Sequence, residues 1–356
     1  MLSLSKHEGA PRSACVDLSK APRLELRIIR HYDGIAPELR GAVIAIGNFD
    51  GVHRGHRAVI EAAKAVARAE AAPLGVLSFE PHPRAVLAPP ERPFRLTPFR
   101  VKALALKALG VERLHLLRFT RALAAKPPET FIRDVLLAGI GARHLVVGED
   151  FAFGKGRAGN AALLRRVASE AGIGVTLVAP QGEGTAKYSS SDARHLVTAG
   201  EVGEAAAILG RWFEIEGRVK QGDRRGRTLG FPTANVGLGG LLHPVAGVYA
   251  LFAGVMRGPG VEWVPAVGNL GKRPTFAGEE ERLEVHLFDF SDDLYGRRVC
   301  FRFVARLRPE RKFDGLEALK AQIALDCRDA RAILARERPD GPRLGLAANE
   351  LEQASP

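Results

Sequence analysis

The stretch GAVIAIGNFDGVHRGH, residues 41–56, joins a short apolar run to a turn that contains three glycines. Val43–Ile46 has the length and the apolar character of a buried strand. Residues 56–71 then carry alanines and larger apolar side chains at helical spacing. A strand followed at once by a glycine turn and a helix predicts a parallel α/β sheet, in which ligands bind at the carboxyl ends of the strands.

The same order of elements continues to about residue 178. Apolar runs that predict strands alternate with amphipathic runs that predict helices, which is typical of a Rossmann-like domain with helices on both faces of a parallel sheet. The predicted strands are 74–79, 113–117, 144–147 and 174–178, and the predicted helices are 99–109, 129–138 and 161–171. We therefore expect an α/β domain over residues 24–200.

Beyond residue 199 the pattern changes to strands without intervening helices. Glycine and proline turns separate the strand-like runs, which are 212–219, 248–255, 261–267, 283–290 and 299–307. One amphipathic segment, 314–327, follows them. This pattern predicts a small antiparallel β-barrel closed by a C-terminal helix, over residues 201–335, with the boundary in a short helical segment at 199–210. We expect residues 1–23 to be a disordered extension and 336–356 to be a polar tail.

The composition is that of a globular chain and excludes several classes of protein. Of the 356 residues, 46% are hydrophobic and 26% are charged, and no apolar run reaches the roughly 18 residues that a membrane span requires. Cys15, Cys300 and Cys327 form no CxxC pair, so neither a disulfide framework nor a cysteine zinc site is expected. A reducing cytoplasm fits this cysteine content.

The net charge of +12 leaves two interpretations open. A basic chain can bind nucleic acid, but here the basic residues are spread along the sequence, and no helix-turn-helix or zinc-finger spacing appears. A diffuse positive surface also attracts polyphosphate substrates to an enzyme. Charge alone does not separate these two possibilities.

The turn at 47–56 has the composition of a phosphate site. Its glycines let the backbone approach a phosphate chain closely, and the helix that follows presents free N–H groups. His53 and His56 lie three residues apart at the start of that helix, so both imidazoles can donate hydrogen bonds to the same phosphates. The alternatives are a capping or core histidine and a zinc site, which lacks a third ligand beyond Asp50.

GNFDGVHRGH (47–56) resembles the HxGH motif of the nucleotidyltransferase superfamily, in the form found in bacterial bifunctional riboflavin kinase/FMN adenylyltransferases, or FAD synthetases. GEDFAFGKGRAG (148–159) and SSSDAR (189–194) are similar to two further motifs of that family. The chain departs from the family in having Ser191 for a usual threonine and Ala193 for a larger aliphatic residue. Taken alone, the first segment is typical of a surface loop and the second of a helix N-cap.

In the second half, GRVKQGDRRGRTLGFPTANV (217–236) has the glycines and basic residues of an anion-binding loop or of an exposed turn. The segment resembles the riboflavin kinase signature of the same family. That resemblance implies that Thr233 and Asn235 contact nucleotide phosphates and Mg²⁺, for which oxygen ligands are suited. It also implies that Glu284, in LEVHLFDFSDDLYG (283–296), is the catalytic base; without it, Glu284 is typical of a solvent-facing strand residue.

The resemblance covers residues 27–327 and assigns roles to individual positions. The implied catalytic residues are His53, His56, Arg194 and Glu284. The implied ATP and phosphate contacts are Gly47, Phe49, Asp50, Gly51, Gly55, Arg157, Ser189, Ser190, Ser191, Gly222, Gly226, Arg227, Thr233 and Asn235. The implied flavin contacts are Asp150, Phe151, Phe153 and Arg273. Aromatic residues near a strand end are also common in cores, so Phe151 and Phe153 have that alternative.

The resemblance implies a two-step synthesis of flavin cofactors in the cytoplasm. ATP with Mg²⁺ would phosphorylate riboflavin to FMN in the second half, and another ATP would adenylylate FMN to FAD in the first half, with release of pyrophosphate. We expect small-molecule partners, no nucleic acid, no membrane, and a monomer or weak homo-oligomer. The alternatives are a riboflavin kinase with an inactive N-terminal scaffold, a basic nucleic-acid-binding HxGH protein, and a flavin-binding regulator without catalytic activity.

Overall fold

The computed structural model describes residues 25–339 except 89, 91, 184–185, 222–229, 239, 259 and 276–277. The expected extension at 1–23 and the expected tail beyond residue 339 lie outside the described residues. So do three of the implied phosphate contacts, Gly222, Gly226 and Arg227. Arg273 lies on a strand, but its side chain is outside the described part of the structure.

The first half folds around a six-stranded parallel sheet, as the alternation of strands and helices predicts. Its strands are β1 (Arg27–Ile29), β2 (Val43–Ile46), β3 (Leu74–Glu80), β4 (Arg113–Arg118), β5 (His144–Gly148) and β6 (Gly174–Val178). Their order across the sheet is β1-β4-β3-β2-β5-β6, and neighbouring strands are parallel. The sequence did not predict β1, because three residues at a sheet edge carry no periodic pattern.

The two faces of the sheet pack against different helices. The helices of this half are α1 (Arg54–Ala69), α2 (Pro83–Leu87), α3 (Phe99–Ala108), α4 (Arg121–Ala124), α5 (Pro128–Thr130), a π-helix (Phe131–Gly139) and α6 (Ala161–Glu170), with 3₁₀ turns at Pro37–Leu39 and Lys155–Arg157. Along β2, Val43 and Ala45 pack with α1 and α3, whereas Ile44 and Ile46 pack with the π-helix and α6. This arrangement confirms the prediction of helices on both faces.

The predicted helix at 129–138 is present, but most of it is a π-helix. At its C-terminus, a Cβ atom on Gly139 would lie 2.8 Å from the carbonyl oxygens of Asp134 and Tyr32, so only glycine fits there. Arg40 donates a hydrogen bond to the Gly139 carbonyl at 2.6 Å. Apolar periodicity predicts one buried face, and since both kinds of helix bury one face, it does not distinguish a π-helix from an α-helix.

Two helices connect the sheet to the second half. They are α7 (Ser190–Ala199) and α8 (Val202–Leu209), and a short hairpin of β7 (Gly182–Glu183) and β8 (Ala186–Lys187) precedes them. Each helix ends at a glycine in the left-handed conformation, with φ angles of 87° at Gly200 and 70° at Gly210. Glycine adopts this conformation without steric cost, so both helices stop at these positions.

The second half is a closed antiparallel barrel with a C-terminal helix, which confirms the predicted fold class. Its elements are β9 (Phe213–Lys220), β10 (Ala234–Gly237), β11 (Gly247–Arg257), β12 (Gly260–Thr275), β13 (Gly278–Leu287), β14 (Arg298–Arg308) and α9 (Leu316–Leu334). The strand order is β10-β13-β12-β11-β14-β9. The sequence did not predict β10, because its four residues fall in a segment that we interpreted as a loop, and α9 continues past the expected end at 327.

The side chains of β13 alternate between the inside and the outside of the barrel. Leu283, Val285 and Leu287 are buried in the barrel core. Glu284 and His286, at the intervening positions, are only half-buried, and both line a cavity on the outer side of the barrel. A period of two along a strand produces this division.

Candidate active sites

Buried side chains hold the turn between β2 and α1 in an uncommon backbone conformation. Phe49 and Val52 adopt left-handed φ angles of 51° and 41°, and each is 1% exposed. Non-glycine residues rarely adopt such angles, and those that do cluster at functional sites. Because the ring of Phe49 lies in the core, any contact between Phe49 and a ligand is made by its backbone.

The glycines of this turn allow other groups to come close. A Cβ atom on Gly47 would lie 3.2 Å from the ring of Phe49, and one on Gly55 would lie 3.0 Å from the carbonyl oxygen of Tyr188. A Cβ atom on Gly51 would lie 2.9 Å from the side chain of Leu96. A larger residue at any of these positions would force its neighbours to shift, and at Gly51 it would also have to adopt a left-handed φ of 86°.

His53 and His56 stack their rings 3.6 Å apart at the N-terminus of α1. His53 is the N-cap, and its Nδ1 accepts a hydrogen bond from the His56 N–H at 3.3 Å. Burial lowers the pKa of His53 to about 4, against the opposing attraction of Asp50. Burial, with smaller repulsions from His53 and Lys102, lowers the pKa of His56 well below its usual value. Both rings are therefore neutral at pH 7, and since His53 Nδ1 accepts, its proton lies on Nε2.

Asp50 and Arg194 form a buried ion pair close to the histidines. Arg194 Nη2 donates to Asp50 Oδ2 at 2.7 Å, and Arg194 Nε donates to the Phe94 carbonyl at 2.8 Å. Asp50 also accepts from the backbone N–H groups of Leu96 at 3.2 Å and Thr97 at 3.0 Å. Burial alone would raise the pKa of Asp50, but Arg194 and these N–H groups outweigh it and lower the pKa. The Asp50 carboxylate, which the family resemblance implies as a phosphate contact, therefore already accepts hydrogen bonds from protein donors.

The first turn of α7 reaches the same region. Ser189 is the N-cap of α7, and its hydroxyl accepts a hydrogen bond from a backbone N–H at 3.1 Å, which confirms the predicted cap. The Ser190 hydroxyl donates to the carbonyl of Asp50 at 2.8 Å. Ser191 is exposed. The motifs at 47–56 and 189–194 thus meet, although 132 residues lie between them in the sequence.

Lys102 is a buried cation beneath this turn that the sequence analysis missed. It is 2% exposed, and its Nζ donates to the Asn48 carbonyl at 3.3 Å and to the Ser78 hydroxyl at 3.1 Å. Glu80 Oε1 lies 3.2 Å from the same nitrogen. Burial lowers the pKa of Lys102, and Glu80 opposes that effect. A lysine among the apolar residues of the predicted helix at 99–109 was the available signal.

A cavity of about 510 Å³ opens beside Gly47 and Asn48. Most of its wall is apolar, from residues that include Phe79, Phe119, Leu123 and Phe131. Asp150, Phe151, Phe153 and Arg157, four of the residues implied by the family resemblance, complete the lining. His53 and His56 are not among the residues that line it. The size and apolar walls suit a flat organic ring.

The two phenylalanines at 151 and 153 differ in burial. Phe153 is 8% exposed, and its ring lies 5.7 Å from that of Phe131. A Cβ atom on Gly159 would lie 2.8 Å from the same ring, so Phe153 packs into the protein core. Phe151 is half-buried and stacks on Phe153 at 5.2 Å with an angle of 17°. Of the two rings, Phe151 is the more accessible to a ligand in the cavity.

A second cavity, of about 630 Å³, lies between the barrel and α9. Thr233 and Glu284 line it from the barrel, and Leu319 and Ile323 line it from α9. Thr233 and Glu284, two implied residues that are 51 positions apart in the sequence, therefore line one cavity. The lining combines polar and apolar side chains, which suits a ligand with a polar chain and a flat ring.

Glu284 is the centre of a polar row across three strands. In the register of the barrel, Glu284 lies opposite Asn235 of β10 on one side and opposite Asn269 of β12 on the other. Directly opposed residues of antiparallel strands place their side chains on the same face. Asn235 Nδ2 donates to the Thr233 carbonyl at 3.5 Å, which leaves the amide oxygen for other ligands. Asn269, which the sequence analysis did not single out, donates to Glu310 at 3.1 Å.

A buried ion pair holds α9 over the second cavity. Arg308, at the end of β14, donates to Asp326 of α9 through Nε at 2.9 Å and Nη2 at 2.7 Å. Asp326 is 5% exposed and also accepts from Gln322 at 2.8 Å. A two-pronged pair of this kind constrains both distance and angle, so it orients the helix relative to the barrel.

Two protein families match the chain, in the order of its two halves. The sequence model of the FAD synthetase family matches residues 35–192, and that of the riboflavin kinase family matches residues 209–334. The first range covers most of the parallel sheet and the motifs at 47–56 and 148–159. The second covers the barrel and α9.

Individual relatives match over nearly their whole length. The bifunctional riboflavin kinase/FMN adenylyltransferase of Escherichia coli strain K12 is 41% identical over 316 residues, which are 88% of this chain and 100% of that protein. The protein of the same description from Bacillus subtilis strain 168 is 38% identical over 311 residues, which are 86% of this chain and 96% of that protein. The similarity therefore includes both halves.

A solved structure described as a macrolide-efflux protein from Streptococcus pneumoniae is also similar. It is 31% identical, with a TM-score of 0.78, and the match covers 86% of this chain and 98% of that one. The shared fold therefore includes both the α/β half and the barrel. Efflux is the description of that protein alone, and it differs from the description of the sequence relatives.

Proposed function

The chain belongs to the family of bifunctional riboflavin kinases/FMN adenylyltransferases, and from this premise we propose how its two halves share two reactions. The barrel half transfers the γ-phosphate of ATP to the ribityl hydroxyl of riboflavin, which gives FMN and ADP. The α/β half transfers the adenylyl group of another ATP to FMN, which gives FAD and pyrophosphate. One observation supports this division above all: each half has its own cavity, lined by residues of its own motifs.

In the α/β half, we assign the flavin ring to the 510 Å³ cavity and the phosphates of ATP to the N-terminus of α1. An oxygen of the FMN phosphate attacks the α-phosphorus of ATP, the bond from that phosphorus to the α,β-bridging oxygen breaks, and pyrophosphate leaves. No side chain has to remove a proton, because the attacking phosphate is already ionised at pH 7. The protein therefore contributes orientation and stabilisation of the charge on the phosphates.

His53 and His56 serve this step as neutral hydrogen-bond donors. Their lowered pKa values make both rings uncharged at pH 7, and His53 Nε2–H is the donor that its N-cap role leaves available. Arg194 supplies a positive charge, and its Nη1 has no hydrogen-bond partner among the described residues. Asp50 acts through Arg194, which it orients. Ser189, Ser190, Ser191 and Arg157 complete the proposed phosphate contacts.

In the barrel half, Glu284 is the proposed general base. It accepts the proton of the ribityl hydroxyl as that oxygen attacks the γ-phosphorus, and the bond from that phosphorus to the departing ADP oxygen breaks. Glu284 lines the 630 Å³ cavity with Thr233 and lies across the strands from Asn235, which supports this role. The apolar side chains of α9 on the opposite wall suit the flavin ring.

The donor atoms of Thr233 and Asn235 fit Mg²⁺. One hydroxyl and one amide oxygen are hard ligands, and Mg²⁺ commonly takes few protein ligands and completes its shell with phosphates and water. Within the described ranges, no group of three His, Cys, Asp or Glu side chains could hold a metal ion, so a site shared with ATP is the form we propose. Bound by Thr233 and Asn235, Mg²⁺ would neutralise charge on the γ-phosphate.

Two variants test the division of labour, each with a matched control. Glu284→Gln should lower riboflavin phosphorylation at least about a hundredfold, because it removes the proton acceptor, while FAD formation from added FMN stays unchanged. His53→Ala should lower FAD formation about a hundredfold and leave phosphorylation unchanged, because it removes one donor to the phosphates. The controls are Glu262→Gln, an exposed glutamate paired with Arg257, and His195→Ala, an exposed histidine of α7.

Chromatography of the flavins formed from riboflavin or FMN with ATP and Mg²⁺ gives both rates. If His53→Ala and wild type both stop at FMN, the α/β half is an inactive scaffold and the adenylylation part of the proposal is wrong. If Glu284→Gln keeps its phosphorylation rate, another group is the base.

We also propose a cytoplasmic enzyme whose partners are ATP, riboflavin and FMN, without nucleic acid, as a monomer or weak homo-oligomer. The thiols of Cys300 and Cys327 are free, which suits a reducing compartment. No helix in the described part of the chain is long and apolar enough to cross a membrane. Light scattering of the purified protein tests the oligomeric state. If the protein retains tRNA in a salt-sensitive manner, it binds nucleic acid and that part of the proposal is wrong.

A further inference from the structure

The loop of residues 94–97, FRLT, lies between the α/β site and the barrel, and we name it the interdomain loop. It immediately precedes α3, with only Pro98 between them. Neither family resemblance nor sequence pattern assigns it a role. Its contacts on the two sides are separate, and each set involves buried groups.

On one side, the interdomain loop holds the Asp50–Arg194 pair. The Phe94 carbonyl accepts from Arg194 Nε at 2.8 Å, and the N–H groups of Leu96 and Thr97 donate to Asp50 at 3.2 and 3.0 Å. The Thr97 hydroxyl also accepts from the N–H of Gly51 at 3.1 Å. A displacement of the loop would therefore move both the arginine and the turn that carries His53.

On the other side, the interdomain loop packs against the barrel half. Leu96 is 4% exposed and belongs to the same buried cluster as Leu242 and the interior residues of the barrel. The N–H of Leu242 donates to the Arg95 carbonyl at 3.2 Å. Leu209, at the end of α8, and Leu96 both lie against Gly51, where a Cβ atom would be 3.3 and 2.9 Å from them. Among the described residues, the barrel half thus contacts the loop through the backbone hydrogen bond from Leu242 to Arg95 and through the apolar cluster around Leu96.

A second contact between the halves lies one turn further along the chain. Arg100, in the first turn of α3, donates to Glu216 of β9 at 2.8 Å. Glu216 is 6% exposed at its side chain and also lies 3.1 Å from Arg298 of β14. The interdomain loop therefore runs directly into a helix whose first turn is bonded to the barrel.

We propose that the barrel sets the position of Arg194 for adenylyl transfer through the interdomain loop, with Leu96 as the positioning residue. This rests on the proposed function, since it assumes that Arg194 acts on the phosphates. A barrel residue then affects the reaction of the other half: truncation of Leu242 lets the loop shift, and Phe94 and Asp50 shift with it. A displacement of a charge-stabilising group by about 1 Å can lower the rate of catalysis a hundredfold.

The test uses the full chain with Mg²⁺, ATP and either FMN or riboflavin. Leu242→Ala should lower kcat for FAD formation from FMN about tenfold, with little change in the KM for FMN, and should change riboflavin phosphorylation less than about twofold. The matched control is Leu294→Ala, a leucine of the same cluster that is 6% exposed and whose carbonyl accepts from Arg297 within the barrel. Leu294→Ala should leave the ratio of the two rates unchanged, and Leu242→Met should restore most of the loss.

A double-mutant comparison tests whether Leu96 and Leu242 act through the same loop or independently. It uses Leu96→Ala and the double variant Leu96→Ala/Leu242→Ala. If both residues act through the interdomain loop, the double variant should lose about as much as Leu96→Ala alone. Should Leu242→Ala fail to fold, Glu216→Gln replaces it, because it weakens the contact with Arg100 without opening a cavity.

Three outcomes are distinguishable. A selective loss of FAD formation in Leu242→Ala supports the proposal. An unchanged rate of FAD formation, or an equal loss of both activities, overturns it and leaves the proposed function intact. If the wild-type chain itself forms no FAD, the proposed function of the α/β half fails, and the positioning role fails with it.

Discussion

His115 offers a direct test of how burial controls the behaviour of histidines in the α/β half. It lies on β4, 0% exposed, and both ring nitrogens lack a hydrogen-bond partner among the described residues. Burial lowers the pKa of His115 to about 4, and the nearby charges of Arg113 and His31 add to that effect. The unfolded chain has a histidine pKa of about 6.5, so it binds a proton before the folded state does. The stability contributed by the neutral ring is therefore complete above about pH 6.5 and is lost as the pH falls toward 4.

The size of the effect follows from the two pKa values. A difference of about 2.5 units corresponds to about 3 kcal/mol when the pH is well below 4 and to about 2 kcal/mol at pH 5. His115→Leu should remove about 2 kcal/mol of the stability loss between pH 7 and pH 5. At pH 7 the variant should be at least as stable as the wild type, because leucine leaves no buried nitrogen without a partner.

Urea unfolding at the two pH values measures this difference. Both tryptophans, Trp212 and Trp263, lie in the barrel half, so circular dichroism at the helical band is the better signal for the α/β half. His195→Leu is the control, because His195 is exposed, and it should lose stability as steeply as the wild type. If His115→Leu loses as much stability as the wild type between pH 7 and pH 5, the buried neutral histidine is not the cause.

Three further substitutions probe the sites. Asp50→Asn should lower FAD formation from FMN about a hundredfold and leave phosphorylation unchanged, because the amide removes the negative charge opposite Arg194 and places an NH2 group against N–H donors from which a carboxylate oxygen now accepts hydrogen bonds. An unchanged rate would mean that Arg194 needs no such partner. Lys102→Met should lower FAD formation from FMN about tenfold, because it removes the hydrogen bond to the Asn48 carbonyl that holds the turn. An equal fall in phosphorylation would contradict this explanation. Asp326→Asn should destabilise the barrel by about 3 kcal/mol in urea unfolding followed by tryptophan fluorescence, because it leaves a charge of a buried pair without its partner. A midpoint equal to that of the wild type would show that α9 does not depend on this pair.

Local sequence patterns predicted those helices and strands in which apolar residues recur at a regular spacing. The predicted strands of the sheet and barrel have clear apolar runs. In contrast, β1 and β10 are short, and they form because they pair with neighbouring strands. The π-helix has the same buried face as the α-helix that the sequence predicts. Contacts between distant segments decide such cases, and a single sequence does not show them.

The sequence likewise indicated some of the site residues and not others. Glycines and histidines at a strand-to-helix turn indicate a phosphate site, and the family resemblance implies Thr233 and Glu284, which line one cavity. The sequence did not indicate that the Asp50 carboxylate accepts hydrogen bonds from Arg194 and from N–H groups of the interdomain loop. Lys102 and Asn269 were missed because each reaches its partners across strands or between elements far apart in the chain.

The fate of the phosphates of ATP tests the account most directly. Riboflavin, Mg²⁺ and purified protein are incubated with ATP labelled at either the γ- or the α-phosphate, and the flavins are separated by chromatography. Two successive transfers, phosphoryl and then adenylyl, predict that the γ-label appears in FMN and remains in FAD, and that the α-label appears in FAD alone. An α-label in FMN, or FAD without the γ-label, would contradict the two-site mechanism.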